Sequence, residues 1–507
     1  MTNWNVRSRA RWAERDRHQR LETDVAADRP RHLARRALIL LGFLLVSPAA
    51  LAQTCPGQGT GTSGDPYVID SVDDFNLIDD CDLDAHYVLN RDLDFAGTRP
   101  DTAGVAFQGH LSSASGPDRP MVLKDVTINQ SSNAGLFAEL DNASVSDLIL
   151  YEFDVSSDSN GIGVGALAGR AYGSVSVTNV VLLGATVTNP AIQPNIGSIV
   201  GLVDGSGGPN SVHLESITVS GVELEGDNAA DIGGLVGQLG SSSERSDLTV
   251  SNVDLVSVKL SAPTGERPVG GVVASVRNTG TLRIVRTSVN FDFANSALYA
   301  RINYGGLIGL LTNTSSASNP THLDIRETQL LGFNPDYVAG SSESGLVVGK
   351  TANGGTAPLS VSLTDVFFHI AVANHSDDQL ALFDFVQADL FVTVNRVVLV
   401  ADDGVKGFPS DFVYGFAGPD VTVTPSDVNV LAVAPNHFFS TPGGIANVDR
   451  AVIEDPNTYV PWPAYWEVHS GASLPRITSI NGPSVVLPAS PYGSTVSPTA
   501  GELDADG

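Results

Sequence analysis

Only two cysteines, Cys55 and Cys81, and four lysines occur in 507 residues, and charged residues make up 17% of the chain. Two cysteines with no histidine or third thiol beside them exclude a cysteine-rich zinc module. Basic residues number 28 against 56 acidic ones, so this surface is a poor match for nucleic acid. No His-Glu-x-x-His occurs among the ten scattered histidines, which removes the helical zinc-protease site. Helical periodicity is missing across residues 105–430, and no run there could span a bilayer. With 51 glycines the chain is far from collagen, and 42% hydrophobic content is too much for a disordered chain.

Positive charge is concentrated at the start. Residues 1–52 hold ten arginines and five acidic residues, which leaves 18 basic and 51 acidic residues from Gln53 onward, a net of −33. Arg35 and Arg36 precede the apolar run 37–46, and Ala50-Leu51-Ala52 supplies small residues before Gln53. That pattern is an export signal cleaved between Ala52 and Gln53, behind an unusually long basic n-region. The expected destination is the extracellular space, the cell surface or the periplasm, with no membrane insertion. In such an oxidising compartment Cys55 and Cys81 are expected to form a disulfide, worth about 3 kcal/mol through the unfolded state.

A glycine-rich apolar pentad recurs along the chain. It reads Gly165-Ala166-Leu167-Ala168-Gly169, Gly197-Ser198-Ile199-Val200-Gly201, Gly233-Gly234-Leu235-Val236-Gly237, Gly270-Gly271-Val272-Val273-Ala274, Gly305-Gly306-Leu307-Ile308-Gly309 and Gly345-Leu346-Val347-Val348-Gly349, with a forerunner around Gly135. A second element keeps step: Val175-Ser176-Val177-Thr178-Asn179-Val180, Val212-His213-Leu214, Leu248-Thr249-Val250-Ser251-Asn252-Val253, then Leu282, Leu323, Val361 and Val392 with their neighbours. Both series have a period of about 36 residues. Apolar residues at every second position make strands with one buried face, and Thr-Asn or Ser-Asn marks bends. A unit of this size cannot bury its apolar face alone, so neighbours must stack into a parallel solenoid. Coils about 4.8 Å apart would put ten turns at roughly 50 Å.

The ends need covering. Ser71 and Asp74 are spaced like a capping box, and Val72, Phe75 and Ile78 share a helical face, so a short capping helix is expected near Cys81. The organisation read from the sequence is therefore a signal over 1–52, an N-terminal cap and first coil over 53–104, and repeats over 105–450. A closing segment with Trp462, Tyr465, Trp466 and Pro475 follows over 451–480, then a Pro/Ser/Gly tail over 481–507, expected to be disordered.

These residues resemble the GLUG-motif proteins, exported bacterial proteins similar to right-handed parallel β-helix adhesins and to the non-catalytic part of some immunoglobulin A peptidases. The resemblance covers most of the chain after the signal. It begins at Gly61-Thr62-Ser63-Gly64-Asp65-Pro66-Tyr67-Val68-Ile69 and passes through Tyr87-Val88-Leu89-Asn90-Arg91-Asp92-Leu93-Asp94 and Phe107-Gln108-Gly109. The element at Gly135 and the end Trp466-Glu467-Val468 with Leu474-Pro475 also match. Val272 and Ala274 depart from the motif, as does Leu111-Ser112-Ser113-Ala114 where an Asp-Gly-Asn turn is usual. The resemblance implies an all-β, right-handed parallel β-helix and an adhesin-like role.

Candidate chemistry is sparse. Acidic groups stand at Asp73/Asp74, Asp79/Asp80/Asp82/Asp84, Asp92/Asp94, Asp377/Asp378, Asp402/Asp403 and Asp504/Asp506. Paired carboxylates serve glycosidases and calcium-bound ones serve lyases, but none of these groups has an EF-hand spacing. His369 and His375 lack a third ligand, Gly205-Ser206-Gly207-Gly208 after Asp204 reads as a loop tip, and Gly161-Ile162-Gly163-Val164-Gly165 has no following helix to make a dinucleotide loop. Arg283 and Arg286 read as a salt-bridged surface. Phe367, Phe368, Phe383, Phe385, Phe391, Tyr414 and Phe416 form either an aromatic patch or core. No catalytic residue and no cofactor is expected, calcium alone being left open. The expected function is non-enzymatic binding of an extracellular glycan or protein along a long flank, with a polysaccharide lyase or glycoside hydrolase as the alternative and a structural spacer as the second.

Overall fold

The structure is a computed structural model. It describes residues 55–204, 210–226, 230–241, 245–261, 267–277, 279–290, 303–313, 321–333, 344–353, 357–370, 381–401, 413–418, 421–426, 430–433 and 445–447, with a few positions from Val452 to Ile477. Among these residues, two parallel sheets of 17 and 15 strands and one antiparallel pair account for nearly all regular structure. From Cys55 onward the chain is an all-β parallel solenoid, right-handed as parallel crossovers almost always are, with a short N-terminal helix. The export signal, with Ala52 and Gln53, and the tail lie outside the described residues.

One coil shows how the sequence builds the rest. Asn210–Gly226 is a long strand bent twice, in register with Ser246–Ser261 of the next coil through the pairs Leu214↔Val250, Ile217↔Val253 and Val222↔Val258. The bends divide it into a first, a middle and a third arm. Residue Ser216, at φ +55°, makes the first bend, and Gly221, at φ +63°, the second. The left-handed first bend recurs in register at Asp147, Asn179, Ser216, Asn252, Arg286, Glu327, Asp365 and Arg396. Asparagine was expected at these bends because it tolerates this conformation. Arginine and glutamate do not favour it, and at one such step Arg396 meets Asp365 with both Nε and Nη2 at 2.6 Å.

The pentads form the second sheet's corners. In Gly233-Gly234-Leu235-Val236-Gly237 the chain passes from strand Asp231–Gly233 to strand Val236–Leu239, and Leu235 points into the core, fully buried. Backbones cross there at close range. A Cβ on Gly233 would sit 1.9 Å from the Val236 carbonyl oxygen, and one on Gly237 would sit 2.5 Å from the Gly201 oxygen and the Ile196 nitrogen. Glycine is thus required by approach, not by a left-handed torsion. Where the motif is degenerate, Val272 fills the leucine position and Ala274 carries a Cβ in the second-glycine position, both fully buried.

The N-terminal end is closed by the helix Val72–Asp80. Asp74 N donates to Ser71 Oγ at 3.1 Å, and the Ser71 hydroxyl donates back to Asp74 Oδ2 at 2.8 Å. Phe75 and Ile78 are fully buried, and Phe75 packs edge-on against Phe95 with ring centroids 5.4 Å apart. The expected disulfide joins Cys55 to Cys81, with their Cα atoms 4.9 Å apart. Inside the first coils Tyr67, Tyr87, Phe107 and Phe137 form a ladder of rings, the first two pairs tilted at 5.5 and 6.1 Å between centroids and the last stacked at 4.5 Å.

Of the closing segment, two described residues have a defined place on the solenoid. Trp466 and Ile477, paired in an antiparallel ladder, lie on the flank against Phe367, Val398 and Val400, and Trp466 Nε1 donates to Asp365 Oδ1 at 3.0 Å.

Candidate functional site

Side chains alternate across each arm, so the residues between the buried ones form columns on the outer surface. On the first arm one column runs in register through His86, His110, Ser144, Ser176, His213 and Thr249, and continues as Arg283, Asp324, Ser362, Thr393 and Ser426. A second column, two residues later, includes Ser146, Thr178, Glu215, Ser251, Arg326 and Thr364. Together they make a flank of hydroxyl, imidazole and guanidinium groups repeating about every 4.8 Å along the coils. Phe391, 49% exposed, stands beside Thr393 and Ser360 at the C-terminal end of this face.

Contacts along the flank run from rung to rung. The His86 and His110 rings stack at 4.1 Å, and His110 Nδ1 is 2.5 Å from Ser144 Oγ. Burial, and then the neighbouring His86, hold His110 below the usual imidazole pKa. Neutral His110 can therefore accept the Ser144 proton. Among the described residues no carboxylate bonds to the His110 ring to orient it, as one would in a hydrolytic triad. Asp324 is held by Arg283 Nε at 3.2 Å and Arg326 Nε at 2.7 Å, and the two arginines remain 51% and 56% exposed. The salt-bridged surface expected at Arg283 is present, with Asp324 and Arg326 as its partners. Each guanidinium keeps free N–H directions toward solvent, which suits hydroxyl or anionic groups of a ligand.

The acidic groups singled out in the sequence mostly serve the fold. Asp74 Oδ2 accepts from Asp70 N at 3.1 Å and from the Ser71 hydroxyl at 2.8 Å in the helix's capping box, Asp92 Oδ1 accepts from Val122 N at 2.9 Å, and Asp94 accepts from Ala96 N at 2.9 Å and from Lys124 at 3.3 Å. Those bonds, the Ala96 amide first, hold Asp94 below the usual carboxylate range. A hydrogen bond from Asp84 raises Asp82, and burial, then Asp80 and Asp101, raises Asp79. Asp73, Asp80 and Asp84 lie on or just after the capping helix. Among the described residues no three His, Cys, Asp or Glu side chains are placed to hold a metal ion. Residues 205–208, His375, Asp377, Asp378, Asp402, Asp403, Asp504 and Asp506 lie outside the described residues.

Glycines 135, 165, 169, 197, 201, 233, 237, 270, 305, 309, 345 and 349 all lie at pentad corners where an added Cβ would meet backbone within 3.0 Å. Gly161 sits in a turn at φ +67°. The aromatic group divides rather than forming one patch. Phe368 and Phe383 are core, and Phe367 faces outward beneath Trp466. Phe385 lies under Lys350 Nζ at 4.8 Å, Tyr414 packs partly buried on the core, and the Phe416 side chain is outside the described residues. The first-arm columns are what the sequence reading passed over. Their signal was the polar half of the alternation: Ser-Val-Ser, Ser-Val-Thr, Thr-Val-Ser, Ser-Leu-Thr and Thr-Val-Asn.

Neither a protein-family model nor a curated protein matches the chain. Among solved structures it is similar to a putative immunoglobulin A1 protease from Bacteroides ovatus, at 12% identity, covering 83% of this chain and 95% of that one with a TM-score of 0.35. The overlap is loose, and the solenoid assignment rests on the strand registers given above. Among the described residues no helix is long and apolar enough to cross a membrane.

Proposed function

We propose that this protein is an exported, non-enzymatic β-solenoid of the GLUG-motif kind that binds an extended glycan along the first-arm flank. The observation that carries this reading is the unbroken register of polar columns from His86 to Ser426. Hydroxyl and imidazole groups exchange hydrogen bonds with sugar hydroxyls, exposed Phe391 offers a ring face for a pyranose, and Arg283 and Arg326 add charged donors. Each rung contributes weakly, and a polymer engaging many rungs gains affinity by effective concentration rather than by a deep pocket. Arg35, Arg36, the apolar run and Ala50-Leu51-Ala52 support the export part of the reading, and an exported flank would meet polysaccharides.

Incubation of residues 53–507 with a polysaccharide panel, with and without calcium, tests both halves of the proposal. Retention of protein on at least one polysaccharide without new reducing ends or unsaturated products is the expected result. Product formation would replace the proposal with a lyase or hydrolase, and absence of retention on every glycan would remove the ligand class.

A further inference from the structure

The first-arm flank is also where the charge of this acidic chain reverses. From Gln53 onward the protein carries a net of −33. Over the two coils that contain Thr279–Asn290 and Thr321–Phe333, however, the outward positions of the first arm hold two guanidiniums and one carboxylate. Arg283 reaches Asp324 from the preceding coil at 3.2 Å, and Arg326 reaches it from two residues along the same strand at 2.7 Å. The shared carboxylate is 13% exposed while both cations stay more than half exposed. This group of three therefore keeps one positive charge that it does not neutralise. His322, two residues before Asp324, is exposed beside it, in register with Thr281 and Ser360.

A second arginine pair shows what this arrangement adds. Arg267 and Arg277 also share one carboxylate, Asp231, but their side chains are 26% and 30% exposed and Asp231 is enclosed. On the flank the guanidiniums face outward, and the charge falls away on either side of them. Asp247 and Glu215 stand one and two coils earlier, and Asp247 Oδ1 already accepts from Thr281 N at 2.6 Å. Beyond Arg326 the outward positions Ser362, Thr364, Thr393, Asn395 and Ser426 are uncharged. The acidic body repels a polyanion from its other faces, but at physiological salt that repulsion is screened beyond about 8 Å. Contact with exposed guanidiniums then decides, and their planar fork matches two oxygens of one anionic group.

We infer that the ligand of the first-arm flank is an acidic polysaccharide, whose carboxylate or sulfate groups seat on Arg283 and Arg326 while its hydroxyls run over the uncharged rungs toward Phe391. The inference rests on the flank being the binding face and adds the charge of the polymer and the place where that charge is held. Repulsion from the acidic faces confines such a polymer to this flank, which gives specificity of orientation that a neutral glycan would lack.

Three polymers of one backbone, dextran, carboxymethyl dextran and dextran sulfate, read the charge alone when each is immobilised and probed with residues 53–507. Retention on at least one charged polymer at least tenfold above that on dextran is expected at low salt, declining as salt is raised. The carboxymethyl and sulfate arms tell which anion is preferred. Arg283→Gln with Arg326→Gln should lower that retention at least tenfold. Asp324→Asn releases both guanidiniums and should raise it severalfold, the opposite of what a purely structural ion pair would give. Arg91→Gln with Arg119→Gln removes the same charge from exposed side chains elsewhere and should leave retention within twofold. Equal retention on the three polymers, retention on none of them, or equal losses in the two double variants overturns the inference and leaves the flank reading to the wider polysaccharide panel. Absence of retention across that panel overturns the flank reading itself.

Discussion

The first and middle arms belong to the same strands, separated by one left-handed residue per coil, yet their outer faces have opposite fates. Ser176 and Thr178 remain partly open to solvent, whereas Val181, three residues further along the same strand, is 2% exposed. Alternation, its phase reset by the left-handed bend at Asn179, puts all three outside. What separates them is composition: polar at most outward positions of the first arm, and on the middle arm apolar at both ends with the polar residues Thr218, Asp254, Ser288 and Gln329 between. A strand with one apolar face is half of a core, and a strand with two demands a second cover. The solenoid therefore has one flank open to ligands and one flank that its own chain covers, at least where Trp466 and Ile477 sit.

The comparison breaks most severely at that cover. Asp365, 2% exposed, accepts from Arg396 and from Trp466 Nε1. Arg396→Met removes the guanidinium that faces the buried carboxylate, an expected loss of about 3–5 kcal/mol in urea unfolding. Arg283→Met, on the open flank, should cost under about 1 kcal/mol in the same assay.

The next effect is a pH dependence to which the covered side contributes through Asp254. Burial raises the Asp254 carboxyl to about 6, against a help from Ser288 that only partly offsets it. The folded state keeps this proton between pH 4 and 6 after the unfolded chain has released it, so stability falls as pH rises through that window. Each pKa unit is worth about 1.4 kcal/mol, so the loss amounts to about 3 kcal/mol by pH 7. Asp231, raised to about 6 by burial against Arg277 and Arg267, acts with the same sign. Asp254→Asn should flatten the slope of melting temperature between pH 4 and 7 and raise stability at pH 7. An unchanged slope would show that Asp254 is not enclosed.

A smaller effect sharpens the distinction between spacing and conformation. Gly237→Ala should cost about 1–3 kcal/mol, because its Cβ has backbone at 2.5 Å, whereas Ala274→Gly at the equivalent position should change stability by less than about 1 kcal/mol. Chemical denaturation of both variants checks the pair. The smallest stability effect belongs to Arg283→Gln with Arg326→Gln. Their side chains are half exposed, so unfolding should be unaffected within about 1 kcal/mol. Retention on the best-binding polysaccharide should nonetheless fall by tenfold or more.

The solenoid was legible because two independent patterns, apolar alternation and the glycine pentad, share a period. The capping helix was legible from Ser71 and Asp74, and the disulfide from its compartment. The left-handed bends were legible at Asn179 and Asn252 but not at Arg286, Glu327 and Arg396, where stacking on the neighbouring coil outweighs intrinsic preference. The open flank was on the page as the polar partners of each buried valine, yet hydroxyls two residues apart gain meaning only when register lines them up across coils. The covered flank had a signal as well. Val180-Val181-Leu182-Leu183 and Val397-Val398-Leu399-Val400 are continuously apolar, the mark of a strand buried on both faces, but no local pattern says which distant segment supplies the cover.

The glycine corners carry a consequence for how such a chain can change in length. Each corner meets the corner before it and the one after, as Gly237 does with Gly201 and Gly233 with Ala274. A whole coil can therefore be gained or lost by recombination between corners without creating a new kind of junction, while a change of one or two residues inside a corner would break the crossing on both sides. The molecule grows in whole storeys, and with each storey the open flank gains one more row of polar side chains.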